Sequence, residues 1–149
     1  MDANRLPPLS ECALCHHFKE VLLWQNEYFR IIAVNQPNYP GYCRIIWQHH
    51  TQELTDLTPT QQHLLFRGLT LTETVIRKIM QCDKINLASL GNVVPHLHWH
   101  IIPRFRDDKH FPESIWGNSQ RNVDAHILLM RTEREKQLPD AIKEAFSNF

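Results

Sequence analysis

The chain has 149 residues, a length typical of one domain with its own hydrophobic core. Hydrophobic residues make up 42% and charged residues 21%, and 16 basic residues balance 16 acidic residues to give a formal net charge of zero. With no net charge and no basic run, the sequence gives no electrostatic basis for binding a nucleic-acid polymer. An anionic ligand must therefore be held by a local site.

The N-terminal segment MDANRLPPLSEC lacks a positive region followed by an apolar stretch, so we expect no signal peptide. The longest apolar runs fall far short of the ~20 residues that span a bilayer, so we expect no membrane partner. These features favour a cytoplasmic protein. The four cysteines, at positions 12, 15, 43 and 82, are then expected to be thiols or metal ligands rather than disulfides.

The first half of the chain predicts a meander of short antiparallel strands. Residues 1–20 are expected to form an irregular N-terminal arm that carries a CxxC motif. Val21–Trp24 and Tyr28–Val34 are rich in apolar and β-branched residues, and the Gln-Asn-Glu between them indicates a hairpin. Asn35–Gly41, NQPNYPG, predicts a turn because two prolines and a glycine do not continue a strand. A further strand is predicted over Tyr42–Gln48.

A long helix is predicted next. Thr58 is expected to be its N-cap, Pro59 suits the first helical position, and Gln61 completes a capping box. Apolar residues recur at steps of four and three and predict a core-facing stripe. Its members are Leu65, Leu69, Thr72, Ile76 and Ile79. The helix is expected to end near Gln81–Asp83.

The second half of the chain predicts two more strands, Lys84–Leu90 and Leu97–Arg104, joined by a loop that contains Gly91. A tail over residues 107–149 follows, with a short helix around Asp140–Phe146 and a solvated charged segment, RTEREK, at 131–136. Together these elements predict a single α+β domain over residues 1–149. Its mainly antiparallel five-stranded sheet is accompanied by one long helix and one short C-terminal helix.

The segment His96-Leu-His98-Trp-His100 carries the strongest chemical signal. Alternate side chains of a strand share a face, so all three histidines project one way, about 6–7 Å apart. Leu97, Trp99 and Ile101 are expected to face the core. A surface strand with incidental histidines and a three-histidine zinc site are the two alternative interpretations.

The stretch GNVVPHLHWHIIPR resembles the signature of the histidine-triad superfamily, whose members hydrolyse or transfer nucleoside monophosphates through a nucleotidyl-histidine. AVNQPNYPG is similar to the nucleoside-binding turn of the branch that includes fragile-histidine-triad proteins and bacterial dinucleoside polyphosphate hydrolases. With the helix after LTDLTP, the resemblance covers roughly Glu11 to Trp116. A third histidine, His100, is typical of the hydrolase branches.

The resemblance implies a role for each residue that matches the motif. His98 is the nucleophile, and a neutral imidazole with a pKa near ~6.5 is competent for this role at pH 7. His100 lies beside the scissile bond, and His96 completes the catalytic trio. The implied nucleotide-binding residues are Asn35 at the ribose and Asn86, Gly91 and Asn92 at the phosphate.

Two further residues near the motif have open roles. Arg104 is expected either to contact phosphate or to be a surface cation. Trp116 could cover a base, line the pocket of a dimer partner, or pack as an ordinary aromatic.

Cys12-Ala-Leu-Cys15 has three interpretations. With His16 it matches the CxxCH motif of covalent haem attachment, but no export signal accompanies it. A thioredoxin-like redox motif would be accompanied by a βαβ pattern, which this sequence does not show. The third interpretation is zinc, for which CxxC is a common half-site. The resemblance implies a structural zinc site completed by His50 and His96, with His49 and His16 as rival ligands. Cys43 and Cys82 are expected to be ordinary buried or half-buried thiols.

The sequence thus predicts a hydrolase that cleaves a nucleotidyl phosphoanhydride or phosphoramidate bond, favouring dinucleoside polyphosphates such as diadenosine tetraphosphate. Adenosine phosphoramidates and acyl- or sulfo-adenylates stay open as substrates. No catalytic cofactor is required, magnesium can accompany a polyphosphate, and the resemblance implies a homodimer. The alternatives are a catalytically weak nucleotide-binding or zinc-stabilised interaction protein, and a hydrolase that uses the three histidines as metal ligands.

Overall fold

The computed structural model describes residues 9–17 and 19–149, so residues 1–8 and Phe18 of the predicted arm lie outside the described residues. Five antiparallel strands form one sheet in the order β1-β2-β3-β5-β4. The strands are β1 (Val21–Gln25), β2 (Phe29–Ala33), β3 (Cys43–Trp47), β4 (Lys84–Ala88) and β5 (His98–Arg104). The predicted α+β class and five-stranded antiparallel sheet are confirmed.

The long helix α1 spans Pro59–Met80 and begins as predicted. The Thr58 hydroxyl accepts from the Gln61 amide nitrogen at 3.3 Å, and the Gln61 side chain accepts from the Thr58 amide nitrogen at 2.9 Å. The predicted stripe faces the core except that Ile79 is half-buried. Gly68 allows close packing on the sheet, because a Cβ atom there would lie 2.4 Å from the Phe29 ring.

Two helices follow the sheet, α2 (Ala125–Glu135) and α3 (Leu138–Ala145). Helix α3 confirms the short C-terminal helix, and the Phe146 ring just beyond it packs 4.6 Å from the ring of Trp24. Helix α2 was not predicted, and the expectation of a solvated segment at 131–136 is wrong for Arg131, although Thr132, Glu133 and Lys136 are exposed. Arg131 is buried over the Phe105 ring at 3.6 Å and pairs with Asp107 at 2.6 Å.

The two faces of the sheet differ in what covers them. One face, with Phe29, Ile45 and Ile101 fully buried, packs against α1 and α3 and forms the main core. On the other face His98 lies opposite Ile46 and His100 lies opposite Arg44. A second, smaller cluster of Tyr39, Tyr42 and Ile102 covers part of that face, with Ile115 packed against it. His98 and His100 therefore lie on the face of the sheet opposite the main core, together with this smaller cluster.

The four cysteines are free thiols. Cys43 is fully buried and burial raises its pKa to about 12, while Cys82 is half-buried, as expected of ordinary thiols. Within residues 9–17 and 19–149, no helix is long and apolar enough to cross a membrane.

Candidate active site and metal site

The three histidines lie at the start of β5, which begins at His98, so His96 precedes the strand. All three are buried, with 1%, 8% and 5% of the surface of His96, His98 and His100 exposed. The rings of His98 and His100 are neighbours, with centroids 4.9 Å apart. The ring of His96 belongs instead to a cluster with two cysteines and His50. The three rings are therefore divided between two sites.

His98 is held with one ring nitrogen free for chemistry. Its Nδ1 lies 2.5 Å from the backbone carbonyl oxygen of His96. A carbonyl oxygen only accepts, so Nδ1 carries the proton and Nε2 keeps its lone pair. Burial lowers the pKa of His98, and the nearby charge of Arg44 adds to this effect. A neutral ring with an unprotonated Nε2 is the nucleophilic form of histidine.

His100 has the opposite tautomer. The Tyr42 hydroxyl lies 2.5 Å from its Nδ1, and the Nε of Arg44 donates to the same nitrogen at 3.4 Å. A guanidinium only donates, so Nδ1 is the acceptor and the ring proton lies on Nε2. Burial, together with the neighbouring charges of His98 and Arg44, lowers the pKa of His100 to about 4. Neutral His100 therefore presents an Nε2–H donor.

Both rings open into a cavity of about 380 Å³. Its lining residues are Leu14, Arg44, Leu90, Gly91, Asn92, Val93, Val94, His98, His100 and Trp116. The Trp116 ring meets His100 edge-on, with centroids 5.1 Å apart, although 52% of Trp116 is exposed. The predicted residues Gly91 and Asn92 therefore lie beside the reactive histidines. The cavity is mainly aliphatic around a small polar centre, as expected for a small-molecule site.

Asn35 and Asn86 are not among the residues lining this cavity. Asn35 is exposed at the start of the predicted turn, which is closed by the Val34 amide donating to the Tyr42 carbonyl at 2.9 Å. Asn86 lies on β4, and its Oδ1 accepts from Arg104 at 2.7 Å. The structure therefore separates these two asparagines from Gly91 and Asn92.

Arg104 is 2% exposed, so the interpretation as a surface cation is wrong. Its Nε and Nη2 donate to the two carboxylate oxygens of Asp108 at 2.7 and 3.0 Å, and Nη2 also donates to the Glu113 carbonyl. With Asn86 bound to Nη1, the guanidinium has protein partners on each nitrogen. Its role is to hold the segment after β5 against the sheet.

The predicted metal-binding residues, Cys12, Cys15, His50 and His96, come together on the N-terminal side of β5. One ligand atom from each lies within 4.8 Å of the others. His96 Nδ1 lies 3.4 and 3.5 Å from the sulfurs of Cys12 and Cys15, and His50 Nδ1 lies 3.3 Å from Cys15. Bonds of about 2.3 Å to sulfur and about 2.0–2.1 Å to nitrogen in a tetrahedron separate ligand atoms by about 3.5 Å. The donor set therefore fits a metal such as zinc.

Neighbouring contacts decide between the rival ligands. His96 Nε2 lies 2.6 Å from the Trp47 carbonyl oxygen, so its proton is on Nε2 and Nδ1 is left for a metal. His49 is exposed, and His16 Nε2 lies 2.8 Å from the Ser10 carbonyl oxygen. Among the described residues, this four-residue set is the only group suited to a metal, so the three triad histidines do not form one together.

Four residues at the site were not anticipated as functional: Leu14, Arg30, Tyr42 and Arg44. Alternation along β3 signals that Tyr42 and Arg44 share a face, but only the pairing of β3 with β5 places Arg44 opposite His100. Arg30 is fully buried, pairs with Glu20 at 2.7 Å and donates to the Leu14 carbonyl at 2.8 Å. It thereby ties the CxxC loop to the sheet.

The chain has an α+β fold with a five-stranded antiparallel sheet, and alternate residues at the start of β5 are histidines beside a cavity. These features define a histidine-triad protein. The family model of the HIT domain matches residues 16–107, more than half of the chain. The chain belongs to the HIT domain family.

Two kinds of curated relatives match at about 30% identity. The bis(5'-nucleosyl)-tetraphosphatase (asymmetrical) of Schizosaccharomyces pombe is 29% identical over 110 residues, covering 70% of this chain and 60% of that protein. The bis(5'-adenosyl)-triphosphatase of Saccharomyces cerevisiae is 32% identical over 93 residues, covering 58% of this chain and 45% of that protein. The chain thus spans about half the length of the curated relatives it matches.

Solved structures share the fold. A histidine triad protein from Bradyrhizobium japonicum has a TM-score of 0.64 and 27% identity, covering 80% of this chain and 90% of its own. A Zn-bound histidine triad family protein from Mycobacterium smegmatis has a TM-score of 0.61 and 20% identity, covering 95% of this chain and 100% of its own.

Proposed function

We propose that the protein is a nucleotide hydrolase that works through a nucleotidyl group bound covalently to His98 Nε2. The observation that carries this proposal is the hydrogen bond from His98 Nδ1 to the His96 carbonyl, which leaves Nε2 unprotonated at the cavity. The named activities of the yeast relatives, both hydrolases of dinucleoside polyphosphates, support the same class of reaction.

In the first step, His98 Nε2 forms a bond to the α-phosphorus as the bond from phosphorus to the leaving group breaks. A polyphosphate leaving group departs with the electron pair, and the His96 carbonyl stabilises the charge that develops on the ring through Nδ1–H. The Nε2–H of His100 donates to a phosphate oxygen. Splitting hydrolysis into two displacements lowers each barrier.

In the second step, water attacks the phosphorus and the N–P bond breaks. The product is a nucleoside monophosphate, one water proton passes to solvent, and His98 returns to its neutral form. Backbone N–H groups near Gly91, the amide of Asn92 and the more distant Asn86 are the proposed phosphate contacts, and Asn35 is the proposed ribose contact. This mechanism requires no catalytic metal, although magnesium can accompany a polyphosphate.

The proposed substrates are dinucleoside polyphosphates of the diadenosine tetraphosphate type, in keeping with the names of the relatives. Adenosine phosphoramidates use the same attack at phosphorus and form the second substrate class. A panel of these nucleotides, assayed for release of monophosphate, ranks them directly.

We also propose that Cys12, Cys15, His50 and His96 hold a structural zinc ion. Four protein ligands leave no position for water, which is typical of structural rather than catalytic zinc. The ion would fix the CxxC loop and the ring of His96. The zinc named in the Mycobacterium smegmatis structure supports this choice of metal.

A homodimer is part of the proposal. The edge strand β4 exposes Leu87, and α1 exposes Phe66, so apolar groups are available beside the sheet edge. Light scattering that gives the mass of a monomer at all concentrations would contradict it.

The covalent intermediate is the direct test of function. Reaction with a nucleotide labelled at the α-phosphate, followed by rapid denaturation, is expected to yield protein whose mass is raised by one nucleotidyl group, localised to His98. The variant His98→Ala is expected to carry no label, and His63→Ala, which alters an exposed histidine on α1, is expected to label normally. Tight nucleotide binding without adduct and without release of monophosphate would favour a nucleotide-binding protein instead.

A further inference from the structure

Among the described residues that line the proposed catalytic cavity, Arg44 is the one permanently charged side chain. It lies on β3 directly opposite His100 and is half-buried. The other described lining residues are aliphatic residues, a glycine, an asparagine, a tryptophan and two histidines. Among the described lining residues, Arg44 is therefore the group whose positive charge does not depend on pH in the physiological range.

The contacts of Arg44 leave the outer part of its guanidinium available. Its Nε donates to His100 Nδ1 at 3.4 Å, and its central carbon lies 5.7 Å from the centre of the Tyr42 ring. Both contacts hold the side chain in place without neutralising it. The Nη1 and Nη2 groups carry four N–H donors arranged as a planar fork.

The two buried arginines of the sheet, unlike half-buried Arg44, each form an ion pair. Arg30 pairs with Glu20 at 2.7 Å, and Arg104 pairs with Asp108 at 2.7 Å. Within residues 9–17 and 19–149, Arg44 makes no ion pair. Removing a cation from water without an anion is unfavourable, and the two buried sheet arginines each have a carboxylate, whereas half-buried Arg44 has none among the described residues.

We propose that the Nη groups of Arg44 bind a phosphate oxygen of the nucleotide that occupies the cavity. The inference rests on the proposed function only in taking the ligand to be a nucleoside phosphate. Because the net charge of the whole chain is zero, attraction of an anion depends on such a local cation. Arg44 thus selects nucleotides over nucleosides, and its Nε contact places the phosphate beside His100.

The experiment compares binding of AMP with binding of adenosine by isothermal titration calorimetry. Arg44→Gln is expected to weaken AMP binding by about 10- to 100-fold, the usual cost of a lost charge-assisted hydrogen bond. Adenosine, which lacks phosphate, is expected to bind the variant and the wild type equally. Arg44→Lys is expected to recover part of the AMP affinity because it keeps the charge but loses the planar fork. Arg106→Gln, which alters an exposed arginine just after β5, is the matched control and should match the wild type.

Equal weakening of AMP and adenosine would overturn the inference, since it places Arg44 against the nucleoside. Unchanged AMP affinity in Arg44→Gln would overturn it as well. Circular dichroism and metal content identify variants that have lost their fold. If Arg44→Gln does not fold, the binding of AMP and adenosine is compared instead in Arg44→Met, which retains an aliphatic stem against Tyr42.

The inference and the proposed function fail separately. An adduct on His98, together with a preference for AMP over adenosine that does not depend on Arg44, would contradict the inference and leave the hydrolase mechanism intact. An AMP preference that depends on Arg44, without any adduct on His98, would support the phosphate contact and reject the covalent mechanism.

Discussion

The backbone carbonyl of His96 accepts a hydrogen bond from Nδ1 of His98 at 2.5 Å, while the side chain of His96 belongs to the metal cluster. The His96 ring is itself fixed on its other side, where Nε2 lies 2.6 Å from the Trp47 carbonyl oxygen. His96 therefore connects the cluster of Cys12 and Cys15 with the ring of His98, the proposed nucleophile.

Replacing His98 tests the chemistry with little cost to the fold. His98→Ala or His98→Gly is expected to lower the rate of nucleotide hydrolysis by a factor of about 10⁴ or more, because the covalent route is lost. The fold should persist, since the main core lies on the opposite face of the sheet. Steady-state kinetics and thermal unfolding measure the two effects. Unchanged turnover, or a rate loss matched by His63→Ala, would contradict the assignment.

Removing a cluster ligand is expected to affect metal content and stability first. Cys12→Ala should lose bound zinc and lower the free energy of unfolding on the order of several kcal/mol, since metal binding contributes to folding. Cys82→Ala, a half-buried cysteine outside the cluster, is the control and should keep its metal. Elemental analysis and denaturant unfolding report both quantities.

Two results would reject this picture of the cluster. Wild-type zinc content in Cys12→Ala would show that the ligand set is wrong. A chelator that abolishes hydrolysis without changing thermal stability would favour a metal-dependent hydrolase.

Patterns with a short range along the chain predicted most of the fold. The capping box of Thr58 and Gln61 and the heptad-like stripe of α1 gave its start and its buried face. Helix α2 was not predicted, and neither was the burial of Arg131, which depends on tertiary contacts with the Phe105 ring and with Asp107. Local charge is therefore a poor guide where a long aliphatic stem covers an aromatic ring.

The candidate site was predictable where the histidine spacing or the family resemblance specifies it. The four residues predicted to bind a metal lie together in the structure, and their positions favour His50 over the exposed His49. Arg44 could not be found because alternation identifies a face but not the neighbouring strand. Its place opposite His100 follows from pairing between β3 and β5, which are far apart in sequence.

Trp116 is expected to contact the nucleotide. It lines both the catalytic cavity and a second cavity of about 510 Å³ over β4, which also contains Lys84 and Asn86. A substrate with two nucleosides can occupy both, with one base against the indole. Trp116→Ala is expected to raise the KM for a dinucleoside polyphosphate by about 5- to 100-fold, the usual range for a lost base stack.

The matched control at this position is Trp116→Phe, which keeps an aromatic face and should retain most of the affinity. Kinetics with diadenosine tetraphosphate, compared with adenosine phosphoramidate, measure the effect on a two-base and a one-base substrate. An equal KM for wild type and Trp116→Ala on both substrates would mean that the indole only packs against His100.

Asp108 is expected to stabilise the segment that carries Trp116. It is 1% exposed, holds Arg104 through both carboxylate oxygens, and accepts from the backbone amides of Phe105 and Phe111. Asp108→Asn leaves Arg104 buried without its counter-ion, so the free energy of unfolding is expected to fall by about 3–5 kcal/mol. Urea unfolding at pH 7 measures this loss, with exposed Glu27→Gln as the control.

The same pair predicts how stability depends on pH. Burial opposes ionisation of Asp108, but the hydrogen bond from Arg104 and the backbone amides outweigh it and lower its pKa below the ordinary 3.8. A pKa lower in the folded state than in the unfolded state means that the ionised carboxylate stabilises the fold fully above about 3.8. This contribution is lost as the pH falls through the folded-state pKa. The stability difference between wild type and Asp108→Asn should therefore be constant from neutral pH to about 5 and shrink in stronger acid. A difference that persists undiminished at acid pH would show that the carboxylate charge is not what holds Arg104.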